Sequence, residues 1–157
     1  MPNSVTTSTH ASRPIEHVAV TVGEQTFGVP IARVRDVFVP GRITRVPGAP
    51  KEIAGVLNLR GRIVTVMDMR VRLGLSEGAT CSAMAVGITY RDESYALLVD
   101  AVGEVLKVPE EAIERNPVNL DSRLAEISSG VHGLEGQLLV VLDIDRVLDI
   151  GGKAIAA

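Results

Sequence analysis

The residues of this chain whose chemistry could do work are few: two aspartates in matching surroundings, three histidines, one cysteine and an arginine at a turn tip. Asp68 and Asp143 invite an acid–base pair. Each ends a β-branched run and precedes a short stretch of helical spacing, so each is expected to cap the turn that follows it. No His, Ser or Cys stands in a recognisable activated arrangement with them, and catalysis is not expected. Asp100 has a similar place in its own segment and is read as structural. His10, His17 and His132 lack ligand spacing, so neither a metal nor a cofactor is expected. Cys81 is alone and is read as a small buried side chain on a strand. That leaves Arg60, in the stretch Gly55-Val56-Leu57-Asn58-Leu59-Arg60-Gly61-Arg62-Ile63-Val64-Thr65-Val66-Met67-Asp68. A guanidinium at a turn tip can chelate a carboxylate or cap carbonyls at the end of a helix.

The element that must position Arg60 is an apolar strand, a tight turn at Arg60-Gly61 and a second strand ending at Asp68. Gly61 supplies the positive φ of the reversal. A second copy, Gly130-Val131-His132-Gly133-Leu134-Glu135-Gly136-Gln137 and onward to Asp143, matches without a gap. Gly55 falls on Gly130, Leu59 on Leu134, Gly61 on Gly136 and Asp68 on Asp143. The copies disagree at the tip, where Arg60 meets Glu135. Shared positions report the fold, and the unshared tip is where function can differ.

A second repeat signal lies upstream of each hairpin. Phe27-Gly28-Val29-Pro30-Ile31 aligns with Tyr95-Ala96-Leu97-Leu98-Val99, and Val34, Asp36 and Val37 then fall on Val102, Glu104 and Val105. Two copies of this length indicate a duplication and not a solenoid. Each copy reads as strand, turn, strand, spacer, strand, Gly turn, strand, short helix. Ile15 to Val22 alternates as a half-buried strand, with Val18, Val20 and Val22 on one face. Thr26–Val29 follows, then one helical turn after Pro30 and a strand through Val37-Phe38-Val39. Pro40 to Pro50 is turn and edge strand. Cys81 to Tyr90 and Tyr95 to Val99 form the next hairpin, and 110–129 is the least regular stretch.

The bulk numbers agree with an all-β chain. Apolar residues make up 46% of the 157 positions, yet aromatics are only 3% and Trp is absent, so the core must be Val, Ile, Leu and Ala. A net charge of −3 with scattered cations argues against nucleic acid, which wants a basic stripe with stacking aromatics. No run reaches the roughly 20 apolar residues of a membrane helix, and no secretory signal pattern opens the chain. The expected location is the cytoplasm, without membrane insertion. Short, closely spaced strands with Gly and Pro turns indicate small β-barrels.

The hairpin Gly55 to Arg62 with the following Val66-Met67-Asp68-Met69-Arg70 resembles the signature of the CheW family of chemotaxis coupling proteins. Phe27-Gly28-Val29-Pro30 with Val34-Arg35-Asp36-Val37, Pro47-Gly48-Ala49-Pro50, Leu98 to Val102 and Leu142-Asp143-Ile144 are similar to that family's other segments. The resemblance runs from about Ile15 to Ile150 and implies two SH3-like β-barrel subdomains related by the pseudo-repeat, with short helical turns. The implied organisation is a tail at 1–14, a CheW-like domain at 15–150 broken near 76–80, with exchange of strands between its subdomains left open, and a tail at 151–157. The implied function is that of a non-catalytic adaptor between chemoreceptor tips and the histidine kinase CheA, held through the kinase's own CheW-like regulatory domain. Contact with the membrane would come only through the receptors. The partner-binding residues implied are Arg60, Val34, Asp36, Gly55, Val56, Asn58 and Gly61. Arg60 matches the arginine implicated in receptor and array coupling, and Val34 and Gly55 match receptor-contact positions. Asp36 stands where many members have Glu.

Other readings remain beside this one. The same adaptor could serve surface motility or a second-messenger pathway. A small β-barrel nucleic-acid binder would need a basic face and more aromatics. A hydrolase would need Asp68 and Asp143 within roughly 10 Å of each other. A kinase or a receiver domain does not fit in this length beside the barrels. Whether Val34, Val37, Val56 and Leu57 pack in the core or line a groove for an amphipathic helix is left open by the alternation.

Overall fold

Ten strands carry most of the chain in a computed structural model that describes residues 14–75 and 84–149. The first hairpin is β1 (Pro14–Val22) and β2 (Gln25–Pro30), and a 3-10 turn at Ile31–Arg33 leads into β3 (Val34–Phe38). The second hairpin is β4 (Ile53–Leu59) and β5 (Arg62–Asp68), followed by helix α1 (Met69–Arg72). The next unit repeats this order with β6 (Met84–Tyr90), β7 (Glu93–Val99) and β8 (Ala101–Pro109). It closes with helix α2 (Ser122–Ile127), β9 (Ser128–Leu134), β10 (Gln137–Leu142) and helix α3 (Ile144–Leu148). The class is all-β with short helical segments in two sheet subdomains, as expected. The tails, apart from Pro14, and the connection at 76–80 lie outside the described residues, as do His10 and Cys81.

The two five-stranded sheets do not follow the two sequence units. One has the order β8-β1-β2-β10-β9 and the other β3-β6-β7-β5-β4. Each sheet therefore takes a hairpin from one unit and three strands from the other. Each sheet is joined by one antiparallel pair, β1 with β8 or β3 with β6, and one parallel pair, β2 with β10 or β5 with β7. The exchange is tied by side chains that cross between units. Arg72 donates to the carbonyls of Val147 and Arg146 at 2.9 Å each, capping the end of α3. Arg123 reaches the carbonyl of Gly74 at 3.3 Å. Arg70 forks onto Asp100 at 3.0 and 2.7 Å, and Asp100 also accepts from the backbone of Gly23 at 2.8 Å. The Arg70 guanidinium holds the Asp100 carboxyl below its ordinary range. Asp100 is thus structural, as its position implied.

The main core lies between the sheets and is built from Val18, Val20, Phe27, Met67, Ile88, Leu97, Val140 and Ile144, with their neighbours. A second cluster covers the opposite face of the β3-β6-β7-β5-β4 sheet with Leu57, Val64, Val66, Ala85, Ala96 and Leu98. The reading of β1 as half-buried is corrected, because the strand lies between β8 and β2 and its His17 and Ala19 are buried as well as the three valines. Asp68 accepts from the backbone N–H of Arg70 and Val71, and Asp143 from that of Arg146, so both are the caps expected. Helix α2 was not legible in 110–129, although Asp121 caps it at 2.8 Å. Among the described residues no helix is long and apolar enough to cross a membrane.

His17 gives the fold an acid limit. Its side chain is buried and its Nδ1 has no partner among the described residues. Desolvation lowers its pKa, against a raising effect of the Ile15 carbonyl and with a smaller lowering effect of His132. The neighbouring strands place Pro30, Gly28, Leu106 and Leu139 around it, none of which titrates. The folded state then binds fewer protons than the unfolded one below the ordinary histidine range. The contribution of His17 to stability is complete above about pH 6.5 and is lost below it, by up to about 1.4 kcal/mol per pH unit. A thermal unfolding series from pH 7.5 to 5 checks this. His17→Leu should flatten the profile, and an unchanged slope would assign the acid sensitivity elsewhere.

Candidate partner-binding site

The β4–β5 hairpin projects Arg60 because both residues of its two-residue turn have positive φ, 54° for Arg60 and 83° for Gly61. That is the twist-matched reversal of antiparallel hairpins, which glycine adopts freely and arginine does not. Asn58 secures it by accepting from the Gly61 N–H at 2.9 Å. Glu135, at the same tip of the β9–β10 hairpin, lacks the positive φ of Arg60. The side chain of Arg60 is 76% exposed and its Nη1 lies 3.6 Å from Asp36 Oδ2. An ion pair this open and this long contributes little stability.

Two of the expected residues are thereby brought together, and they share a cavity of about 150 Å³. Its walls are apolar (Phe38, Leu59, Val64, Ile88, Tyr95), and Arg35 and Arg62 join Arg60 and Asp36 around it. Gly87 makes room for the Asp36 carboxylate, since a Cβ there would collide with Asp36 Oδ1. On the other face of the sheet lies an open groove of about 830 Å³ with Val46, Ala49, Ile53, Val56, Ile63 and Thr65 along it. Ile63 is 61% exposed and stands directly across from Asn58. Arg35 and Arg62 line both spaces.

The remaining expected residues act differently. Val56 faces the groove, Leu57 is core, Val37 is exposed, and Val34 is half-buried against the inter-sheet core. Gly55 is buried with φ 147°, and any Cβ on it would strike the carbonyl of Thr44. That approach lets Thr44 bridge to Val56 with two backbone hydrogen bonds of 2.8 Å, which sets the segment carrying Val46 beside the groove. Gly130 repeats the device, and Glu114 bridges to Val131. Arg35, Arg62, Ile63 and Val46 line the candidate site and were passed over by motif reasoning. For Ile63 the signal was present, because strict alternation through Val64 and Val66 turns it away from that core. Among the described residues no group of three or more His, Cys, Asp or Glu converges on one point.

A model of the CheW-like domain matches residues 16–151. The chain is 30% identical over 148 residues to the chemotaxis protein CheW of Rhizobium meliloti, covering 94% of both chains. It is 31% identical over 133 residues to the chemotaxis protein CheW of Bacillus subtilis, covering 84% of this chain and 85% of that one. Its structure is similar to that of the scaffolding protein TtCheW from Thermoanaerobacter tengcongensis, with a TM-score of 0.78 at 27% identity over 92% of this chain and 94% of that one.

Proposed function

Because the chain belongs to the family of CheW-like domains, we propose that it works as a scaffold without catalysis of its own, coupling the cytoplasmic tips of chemoreceptors to the histidine kinase CheA in chemotaxis. The observation that carries this reading is the family match across nearly all of the described chain, including both hairpins. The geometry supports a distinct surface for each partner. The receptor would take the end of the sheet around Arg60, Asp36 and the groove of Val56 and Ile63, whose lining combines apolar residues with the charged Arg35, Arg62, Asp92 and Glu93 and suits an amphipathic helix. The kinase's regulatory domain takes an edge strand. β3 and β8 each form one edge of their sheets and expose apolar side chains, Val37 at 38% and, at the equivalent position, Val105 at 46%, with Val39 just past β3 at 73%. An apolar patch with a polar rim is what such a contact needs. The protein would act in the cytoplasm and meet the membrane only through receptors.

Titration of the purified protein with the CheA regulatory domain is the test. Saturable binding with a Kd at or below about 10–50 µM is expected, the range of a functional but exchangeable contact. Folded proteins that fail to associate in that range would remove the kinase-coupling role.

A further inference from the structure

The three arginines around the small cavity are more cation than its one carboxylate offsets. Arg35 and Arg62 have no ion pair among the described residues. Arg35 donates to the Thr89 hydroxyl at 3.1 Å and Arg62 to the Ser94 hydroxyl at 3.3 Å. These two hydroxyls face each other across the β6–β7 pair, so the guanidiniums are held from both sides over the same end of the sheet. Among the described residues Asp36 reaches only Arg60, at 3.6 Å. The floor below is apolar, from Phe38, Leu59, Val64 and Ile88. A space of about 150 Å³ admits a carboxylate and a few carbons behind it, and does not admit a nucleotide.

We propose that Arg35, Arg60 and Arg62 form a carboxylate-binding pocket whose occupant is an acidic side chain of the receptor helix seated in the adjoining groove. Arg35 and Arg62, which line both spaces, join the pocket to the groove, so one helix can lay its apolar face along Val56 and Ile63 while its acidic residue enters the pocket. Asp36 is the internal stand-in for that acid. It keeps Arg60 from being wholly unpaired in the free protein and yields when a better-placed carboxylate arrives. Two charge-assisted forks are available to the incoming group where Asp36 makes one loose contact. This inference rests on the receptor reading for its occupant and not for its pocket.

Benzoate is the probe, since it has a carboxylate and an apolar body of suitable size. Titrated into the labelled protein at low salt, it should give saturable amide shifts at Arg35, Asp36, Gly61, Arg62 and Ser94. Arg35→Ala combined with Arg62→Ala should weaken it about tenfold or more, as expected for loss of charge-assisted bonds. Asp36→Asn should tighten it a few-fold by removing the internal competitor. Thermal unfolding of each variant keeps folding separate from binding. Absent or non-saturating shifts would overturn the pocket, as would an affinity indifferent to both variants. Competition then separates the sources of the carboxylate. If benzoate displaces a receptor-tip fragment from the parent protein, the occupant is the receptor's acid. If both bind together, the assignment to the receptor is wrong and the pocket serves a free organic anion. A receptor fragment that does not bind at all would remove the receptor reading while leaving the benzoate result to stand or fall by itself.

Discussion

Arg60→Ala should leave thermal unfolding within about 1–2 °C of the parent while weakening receptor-linked control of the kinase. The stability half follows from exposure. The Arg60 side chain is 76% exposed, its only ion pair among the described residues is 3.6 Å long, and alanine meets the same backbone penalty at φ 54°. Surface changes of this kind shift stability by no more than about 0.5 kcal/mol. The binding half follows from desolvation. Removing one member of a charged contact buried by a partner costs about 2–5 kcal/mol, roughly 30-fold or more in affinity. Lysine should rescue only in part, because it lacks the planar fork. Arg60→Gly sharpens the test, since it relieves the left-handed strain and should stabilise the protein by up to about 1 kcal/mol while binding no better than the alanine variant. The paired measurement is thermal unfolding and kinase activity in a reconstituted receptor mixture. If Arg60→Ala unfolds the protein, or couples as well as the parent, the role given to Arg60 is wrong.

Gly55→Ala should have the opposite signature, a large loss of stability that carries binding with it. The substitution meets two penalties at once. A φ of 147° lies where only glycine is at ease, at a cost of about 1–3 kcal/mol. The new Cβ also strikes the Thr44 carbonyl, which is backbone and hydrogen-bonded to Val56. Relief requires breaking the Thr44–Val56 bridge, worth roughly another 1–2 kcal/mol. A total near 3 kcal/mol corresponds to a fall in Tm of about 6–12 °C for a chain of this size. The displaced segment carries Val46, so the groove should lose receptor affinity even where the protein stays folded. Differential scanning calorimetry beside receptor titration separates the two effects. A Tm within 2 °C of the parent would show that the approach of Thr44 is not needed. On this proposal Gly55 and Arg60 would serve recognition by different routes, one by placing backbone and the other by contact.

How much of this was legible in the sequence depends on the range of the interactions involved. The hairpin turn, the caps at Asp68 and Asp143 and the alternation of β4 and β5 are local, and local rules recover them. Gly61 announces a positive φ, but nothing in Arg60 does, because the strain is imposed by the pairing of Leu59 with Arg62. The match of Gly55 with Gly130 marked both as structural without saying why. The reason lies in Thr44 and Glu114, which no periodicity connects to them. Helix α2 was hidden because its six residues are too short for a periodic signal. The gathering of Arg35, Asp36 and Arg62 about Arg60 depends on β3 lying in the same sheet as β4 and β5, two strands away across β6 and β7. That order is set by tertiary packing and leaves no mark on any single strand.

The exchange of strands between units carries a consequence for how such a chain could arise. Neither unit can complete a sheet from its own strands, because β1 and β2 need β8, β9 and β10, while β6 and β7 need β3, β4 and β5. Two separate copies of one unit, trading strands across a two-fold axis, would build the same pair of sheets. The protein has the topology of a swapped homodimer whose subunits have been joined end to end. In a true homodimer every change at a turn tip appears twice, and both ends must meet the same neighbour. Joining the copies lifts that constraint, so one tip can become Arg60 while the other becomes Glu135. A symmetric ancestor would present the same tip at both ends, whereas the fused chain presents two different ones.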